Sequence, residues 1–136
     1  IIETPEFIPY LSGFSNLLLL AKGRNRIGKP RIHEVMQLVH LDPNSRLHVK
    51  KYSLGMKQRL AIAQAIMESP KLLVLDEPLS ALDEDGVHDI RKILLDFKQG
   101  GATIILSSHN AEDIRVLCDD VYRLRKGCME VKSCLD

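Results

Sequence analysis

Residues 72–78 read Leu-Leu-Val-Leu-Asp-Glu-Pro, four aliphatic side chains followed directly by two carboxylates and a proline. A short aliphatic run of this kind is typical of a strand buried on both faces, as in a parallel sheet. Two carboxylates at the end of such a strand cost free energy unless they face a cation or a polar ligand. Because open parallel sheets bind ligands at the carboxyl ends of their strands, Asp76 and Glu77 are candidate functional residues.

The chemistry open to this carboxylate pair is that of a phosphate-handling site. Asp76 could hold Mg²⁺ directly or through a water, because Mg²⁺ prefers carboxylate oxygens. Glu77 could polarise a water for attack on phosphorus. The simpler alternative is that both acids only cap the following turn, and the motifs around them favour the functional interpretation.

The C-terminal half of the chain alternates short apolar runs with amphipathic stretches. Strands are predicted at 72–75, 103–106 and 121–124 and near 129–131, and helices near 86–98 and 111–117. This alternation predicts an α/β fold with a parallel sheet and crossover helices. Glycine-containing pairs at 100–101 and 126–127 indicate turns.

The N-terminal half has its apolar residues at helical spacing between residues 11 and 70. We therefore expect a helical subdomain at about 8–70, inserted into an α/β part at about 71–136, with one shared core. Residues 23–30, GRNRIGKP, nearly fit the phosphate-loop pattern G-x-x-x-x-G-K. A true phosphate loop follows a buried strand and continues with Ser or Thr. Pro30 instead suits the first turn of a helix and Gly23 the end of the previous one, which predicts a helix-to-helix connection.

A second motif lies at residues 52–60, Tyr-Ser-Leu-Gly-Met-Lys-Gln-Arg-Leu. Ser53 can cap a helix, and Gly55 lets the backbone approach a ligand closely. The N-terminus of that helix offers free N–H groups and a positive dipole end, which together can bind an anion. Ser53 alone could be only a cap, but the aliphatic run with Asp-Glu downstream makes the pattern more specific.

Taken in order, these motifs resemble the nucleotide-binding domain of ATP-binding cassette transporters. Residues 52–56 stand where the family signature reads Leu-Ser-Gly-Gly-Gln, and residues 72–77 match the Walker B strand with its catalytic glutamate. Residues 80–83, Ser-Ala-Leu-Asp, match the D-loop, and His109 matches the switch histidine. Glu3 stands at the Q-loop position. The resemblance covers nearly the whole chain and implies a P-loop NTPase-like parallel sheet, incomplete here, with an inserted α-helical subdomain.

Three positions depart from the family pattern. Glu3 replaces the Q-loop glutamine, while Leu54 and Met56 replace a glycine and a glutamine of the signature. A Tyr-Ser-x-Gly-Met-Lys-Gln-Arg signature and an Ile-Glu-x-Pro start are similar to the bacitracin and lantibiotic export branch. Because Met56 replaces the signature glutamine, one polar side chain is lost from the expected phosphate contacts.

The resemblance implies ATP and Mg²⁺ as cofactors, with Asp76 as the metal ligand. Glu77 would orient the attacking water, and His109 would contact the γ-phosphate. Ser53 and Gly55 of a second copy would close over that phosphate. Further nucleotide-site contacts are implied for the Q-loop and D-loop positions, namely Glu3, Ser80 and Asp83, with Asp83 acting across the dimer interface.

The implied partners are a second nucleotide-binding domain, as a homodimer, and a membrane-spanning permease subunit that exports a peptide antibiotic. The protein would then be cytoplasmic and peripheral on the inner face of the cell membrane. With 19 basic and 18 acidic residues the chain has no general attraction for nucleic acid, and none is expected as a partner. Two alternatives remain open: a cassette ATPase that acts on DNA or ribosomes, and a folded fragment without enzyme activity.

Three further expectations concern the 136 residues. The resemblance places the Walker A lysine upstream of Ile1, so the 136 residues alone are expected to be inactive. It also places the Walker A strand between the strands at 103–106 and 121–124, so we expect the chain either to self-associate through its sheet or to bring these two strands together. The three cysteines form no C-x-x-C pair and are predicted to be free thiols.

Overall fold

The computed structural model describes residues 6–23 and 27–132. Within these ranges it has five α-helices, a short 3₁₀ turn and four strands. The helices are α1 (Gly13–Lys22), α2 (Lys29–Leu38), α3 (Leu54–Ile66), α4 (Glu84–Gln99) and α5 (Ala111–Leu117), with the 3₁₀ turn at Val49–Lys51. The strands are β1 (Leu72–Asp76), β2 (Thr103–Ser107), β3 (Val121–Arg125) and β4 (Cys128–Lys132). Each helix and strand predicted for the C-terminal half is therefore present.

The connection between α1 and α2 is the helix-to-helix link that the sequence predicts for residues 23–30. Gly23 caps the end of α1, and Pro30 lies in the first turn of α2. Residues 24–26 lie outside the described residues. Because both ends of the segment belong to helices, the G-x-x-x-x-G-K pattern here is not a phosphate loop.

The apolar side chains form one continuous core. Its fully buried members include Leu17 of α1, Ile32 of α2, Leu60 of α3 and Ile90 of α4. Side chains of β1 belong to the same cluster, so helices of both halves pack around a shared interior. No helix in residues 6–23 and 27–132 is long and apolar enough to cross a membrane.

Strands β1 and β2 pair in parallel, in a register that places Asp76 opposite Ser107. This confirms the parallel sheet. The prediction that β1 is buried on both faces is wrong, because Leu73 and Leu75 are 3% exposed while Leu72 and Val74 are each 53% exposed. Successive side chains of a strand point to opposite faces, and the described residues fully cover only one of them.

Strands β3 and β4 form a separate antiparallel hairpin. The strand predicted at 121–124 is present, but its predicted place in the parallel sheet is wrong. Of the two alternatives expected for the chain, the one that brings β2 and β3 together is also wrong. The physical reason is local. Lys126 and Gly127 both have positive φ, 48° and 79°, which is the geometry of a two-residue turn matched to strand twist. That turn lets β3 pair with its immediate successor at little cost in loop entropy.

Candidate functional site

The carboxyl edge of the parallel pair carries the residues that the sequence singled out. Ser107 at the end of β2 donates its hydroxyl to Asp76 Oδ1, and the backbone N–H of Glu77 donates to the same hydroxyl oxygen at 3.0 Å. One serine thus fixes both acidic residues. The sequence analysis assigned no role to Ser107, although its place directly after the predicted strand 103–106 was the available signal.

Glu77 leaves the strand in a left-handed backbone conformation, with φ of 42°. A residue with a side chain pays about 1–2 kcal/mol for this conformation. The turn is held by Ser80, whose hydroxyl donates to the Glu77 carbonyl at 3.0 Å and whose N–H donates to it at 3.3 Å. The described contacts of Ser80 are therefore with the chain itself, and they shape the exit of Glu77 from the strand.

His109 follows β2 and faces Glu77. Its Nδ1 lies 2.9 Å from Glu77 Oε1, and its side chain is 80% exposed. The pKa of His109 is raised above its ordinary value. The larger cause is the hydrogen bond with Glu77, and the smaller is the negative charge of that residue. The structure therefore brings together two residues that lie at the ends of different strands.

Asp76 suits a magnesium ion by its chemistry. Its carboxylate is exposed at the end of β1, with Oδ1 oriented by Ser107. Mg²⁺ keeps several of its waters and is often held by only one or two carboxylates together with substrate phosphates. No group of three or more His, Cys, Asp or Glu within the described ranges could hold a metal ion by itself. Asp76 fits the arrangement in which a single carboxylate holds Mg²⁺ beside a phosphate ligand.

The motif at residues 52–60 starts α3 as the sequence predicts. Ser53 is the N-cap, and its Oγ accepts the Met56 N–H at 3.1 Å. Gly55 lies against the loop after β1: a Cβ at this position would be 3.1 Å from the Ala81 carbonyl oxygen. The N-terminus of α3 and the segment 80–83 are therefore neighbours within one chain, and a side chain at position 55 would be in tight contact there even without a ligand.

Two further side chains of α3 hold the same loop, and the sequence analysis assigned no role to either. Gln58 is 6% exposed, and its Nε2 donates to the Pro78 carbonyl at 3.0 Å. Arg59 donates from Nη1 to the Val39 carbonyl at 3.2 Å, and its Nη2 lies 3.8 Å from Asp83 Oδ1. The signal was a glutamine inside the apolar stripe of a helix, where a buried amide must find a partner.

Asp83 is the N-cap of α4, and its Oδ1 accepts the Gly86 N–H at 3.1 Å. Gly86 leaves room for this contact, because a Cβ there would lie 2.6 Å from Asp83 Oδ1. Glu3 lies outside the described residues. Cys118 and Cys128 are free thiols as predicted, and Cys134 lies outside the described residues.

Acidic and histidine side chains lie at the carboxyl ends of parallel strands, which is where α/β folds bind ligands. The family model described as ABC transporter matches residues 2–80. The chain belongs to the ABC transporter family, and its fold is a partial P-loop NTPase fold.

Two curated relatives show the extent of the likeness. The chain is 45% identical over 133 residues to the uncharacterized ABC transporter ATP-binding protein YybJ of Bacillus subtilis (strain 168), covering 98% of this chain and 61% of the relative. It is 42% identical over 128 residues to the bacitracin transport ATP-binding protein BcrA of Enterococcus faecalis, covering 93% of this chain and 42% of the relative. The chain thus spans about half the length of these relatives, and its resemblance to the bacitracin branch is confirmed.

A solved structure supports the fold. The ATP-binding cassette MJ0796, in a dimeric post-hydrolysis state bound to ADP and Pi, matches with a TM-score of 0.83. The match covers 96% of this chain and 61% of that one, at 22% sequence identity. At this identity the likeness concerns the fold.

Proposed function

We propose that this chain forms part of the ATP-hydrolysing subunit of an ABC transporter. The single observation that carries the proposal is the 2.9 Å contact between His109 Nδ1 and Glu77 Oε1, next to Asp76 at the carboxyl edge of the parallel strands. A carboxylate oriented by a histidine at this edge is suited to activating a water for attack on phosphorus.

In the proposed reaction, Glu77 accepts a proton from a water whose oxygen attacks the γ-phosphorus of ATP. The bond between the γ-phosphorus and the bridging oxygen breaks, its electron pair goes to ADP, and phosphate is released. In its protonated form, His109 donates from Nδ1–H to Glu77, which leaves Nε2–H to donate to an oxygen of the γ-phosphate. Asp76, oriented by Ser107, would hold Mg²⁺, which when bound neutralises charge on the phosphates.

The proposed site is shared between two copies. Ser53 and Gly55 at the start of α3 would bind the γ-phosphate held by the partner copy, using N–H groups that the first turn of a helix leaves unpaired. Asp83 and Ser80 lie on the adjoining loop and would lie at the same interface. Support comes from the exposure of Ser53 and from the dimeric state of the similar cassette bound to ADP and Pi.

At the level of the whole subunit, we propose a helical subdomain at about 8–70 and an α/β part at about 71–136. The subunit would bind a membrane-spanning permease and remain cytoplasmic on the inner face of the membrane. Export of a peptide antibiotic is the proposed task, supported by the likeness to a bacitracin transport protein. Glu3 would contribute to the nucleotide site as the Q-loop residue.

The test is Glu77→Gln in the complete ATPase subunit. ATP binding should persist while hydrolysis falls by roughly 10²–10⁴-fold, the usual worth of a general base. Glu84→Gln, an exposed change in the first turn of α4, is the matched control and should leave turnover unchanged. Near-normal hydrolysis by the Glu77 variant would place the base elsewhere.

A further inference from the structure

Asp113 is the one charged residue among the described residues that is buried, with 4% of its surface exposed. A buried carboxylate is costly unless its charge and lone pairs are satisfied. Its Oδ1 accepts from Arg91, through Nε at 2.9 Å and also through Nη2. Its Oδ2 accepts the Ser108 hydroxyl at 3.3 Å. One carboxylate therefore connects α4, α5 and the loop that follows β2.

Hydrogen bonds within this loop hold the two residues on either side of His109. Ser108 Oγ accepts the Asn110 N–H at 3.1 Å, and Asn110 Oδ1 caps α5 by accepting the Glu112 N–H at 2.8 Å. The imidazole itself is mostly exposed, and its described hydrogen bond is with Glu77. Since little packing surrounds the ring, its direction depends on the backbone that carries it.

We propose that Asp113 is a positioning residue that directs His109 toward Glu77. Arg91 fixes one carboxylate oxygen to α4, and the other oxygen holds Ser108, the residue immediately before His109. This inference rests on the proposed function, in which the His109–Glu77 pair serves hydrolysis.

If Asp113 only stabilised the first turn of α5, Glu112 would serve equally well. An acid in the first turn of a helix stabilises that turn through the helix dipole, and α5 has two such acids, Glu112 and Asp113. Both also contact Arg91, since Glu112 Oε1 lies 3.5 Å from Arg91 Nη1. Only Asp113 reaches Ser108. Glu112 is thus a control matched in charge, turn and cationic partner.

The experiment measures the nuclear Overhauser effect between the His109 ring protons and the Glu77 side-chain protons in the isotopically labelled chain. Ser108→Ala should lose this signal while keeping the Arg91–Asp113 pair, and Ser108→Thr, which restores the hydroxyl, should recover it. Glu112→Gln should keep it. Persistence of the signal in Ser108→Ala would overturn the proposal, as would its loss in Glu112→Gln.

Asp113→Ala should lose the same signal. Where that variant fails to fold because the half-buried Arg91 loses its partner, persistence of the signal in Ser108→Ala still overturns the proposal. The proposed function is tested separately by His109→Ala in the complete ATPase subunit. Unchanged hydrolysis in that variant would refute the role of His109 in catalysis and leave the positioning result standing. If both hold, Ser108→Ala lowers kcat and leaves KM for ATP unchanged.

Discussion

His109 Nδ1 and Glu77 Oε1 lie 2.9 Å apart, although the two residues are 32 positions apart in the chain. Each follows one strand of the parallel pair, and the register of those strands brings their carboxyl ends to one edge. The contact couples the protonation of the imidazole to the carboxylate, so it can be tested without a nucleotide.

The first prediction concerns pH. Glu77 raises the pKa of His109, so Glu77→Gln should lower that pKa toward the ordinary value of about 6.5. Because the pKa of His109 is higher in the folded state than in the unfolded state, its contact with Glu77 contributes its full stability below about pH 6.5. That contribution is lost as the pH rises through the pKa of the folded state. Titration of the ring by NMR checks the shift, with Glu84→Gln as the control. Equal pKa values in the wild type and Glu77→Gln would contradict it.

The second prediction concerns the amide that joins α3 to the loop after β1. Gln58→Leu removes the donor to the Pro78 carbonyl. A buried acceptor left without a partner costs about 1–3 kcal/mol, which the free energy of unfolding in urea should show. Gln64→Leu makes the same chemical change on the same helix, at a half-buried position, and should stay within about 0.5 kcal/mol of the wild type. Equal stabilities for the two variants would refute the role of Gln58.

The third prediction concerns the tyrosine in the signature position. Tyr52 is 7% exposed, burial raises its pKa, and a hydrogen bond with the Gly13 backbone opposes that rise. A Cβ on Gly13 would lie 2.7 Å from the Tyr52 hydroxyl oxygen. Gly13→Ala should therefore destabilise the chain by about 1–3 kcal/mol, the usual cost of overpacking.

The same pair allows a double-mutant cycle. Tyr52→Phe removes the hydroxyl that meets the added methyl group, so the double variant should be less destabilised than the sum of the two single variants. Thermal or urea unfolding of the four proteins measures the coupling. Strict additivity would contradict the predicted clash between a methyl group at position 13 and the Tyr52 hydroxyl.

The fourth prediction concerns nucleotide affinity of the 136-residue chain. Its G-x-x-x-x-G-K pattern connects two helices and offers no phosphate loop. A ligand at 100 times its dissociation constant stabilises a protein by about 2.7 kcal/mol. Millimolar Mg-ATP should therefore barely move the thermal unfolding midpoint, compared with magnesium tripolyphosphate at equal ionic strength. A large, saturable rise specific to ATP would contradict this.

The fifth prediction concerns self-association through the sheet. Leu72 and Ile105 are 53% and 56% exposed on the parallel pair, and exposed apolar strands favour association with another chain. Sedimentation equilibrium should show a concentration-dependent dimer or larger species that Ile105→Thr weakens. Leu124→Thr, at a position 73% exposed on the separate hairpin, is the control. A monomer at all concentrations would contradict the prediction.

Several features could be predicted from the sequence because the forces behind them act over a few residues. Ser53 caps α3, Pro30 lies in the first turn of α2, and one strand leads into Asp76 and Glu77 while another precedes His109. Capping and side-chain periodicity are local, and a motif of fixed order carries them directly.

Tertiary structure alone decided the contacts between distant residues. Ser107 bonds to both acidic residues because strand register puts it there, and Gln58 meets Pro78 because α3 packs on the loop after β1. The same holds for Asp113, whose pairing with Arg91, 22 positions earlier, no local pattern indicates. The sequence determined which residues end each strand and begin each helix. The partners of those residues depend on packing between segments 20 or more positions apart. The spacing of side chains along the chain carries no signal for such packing.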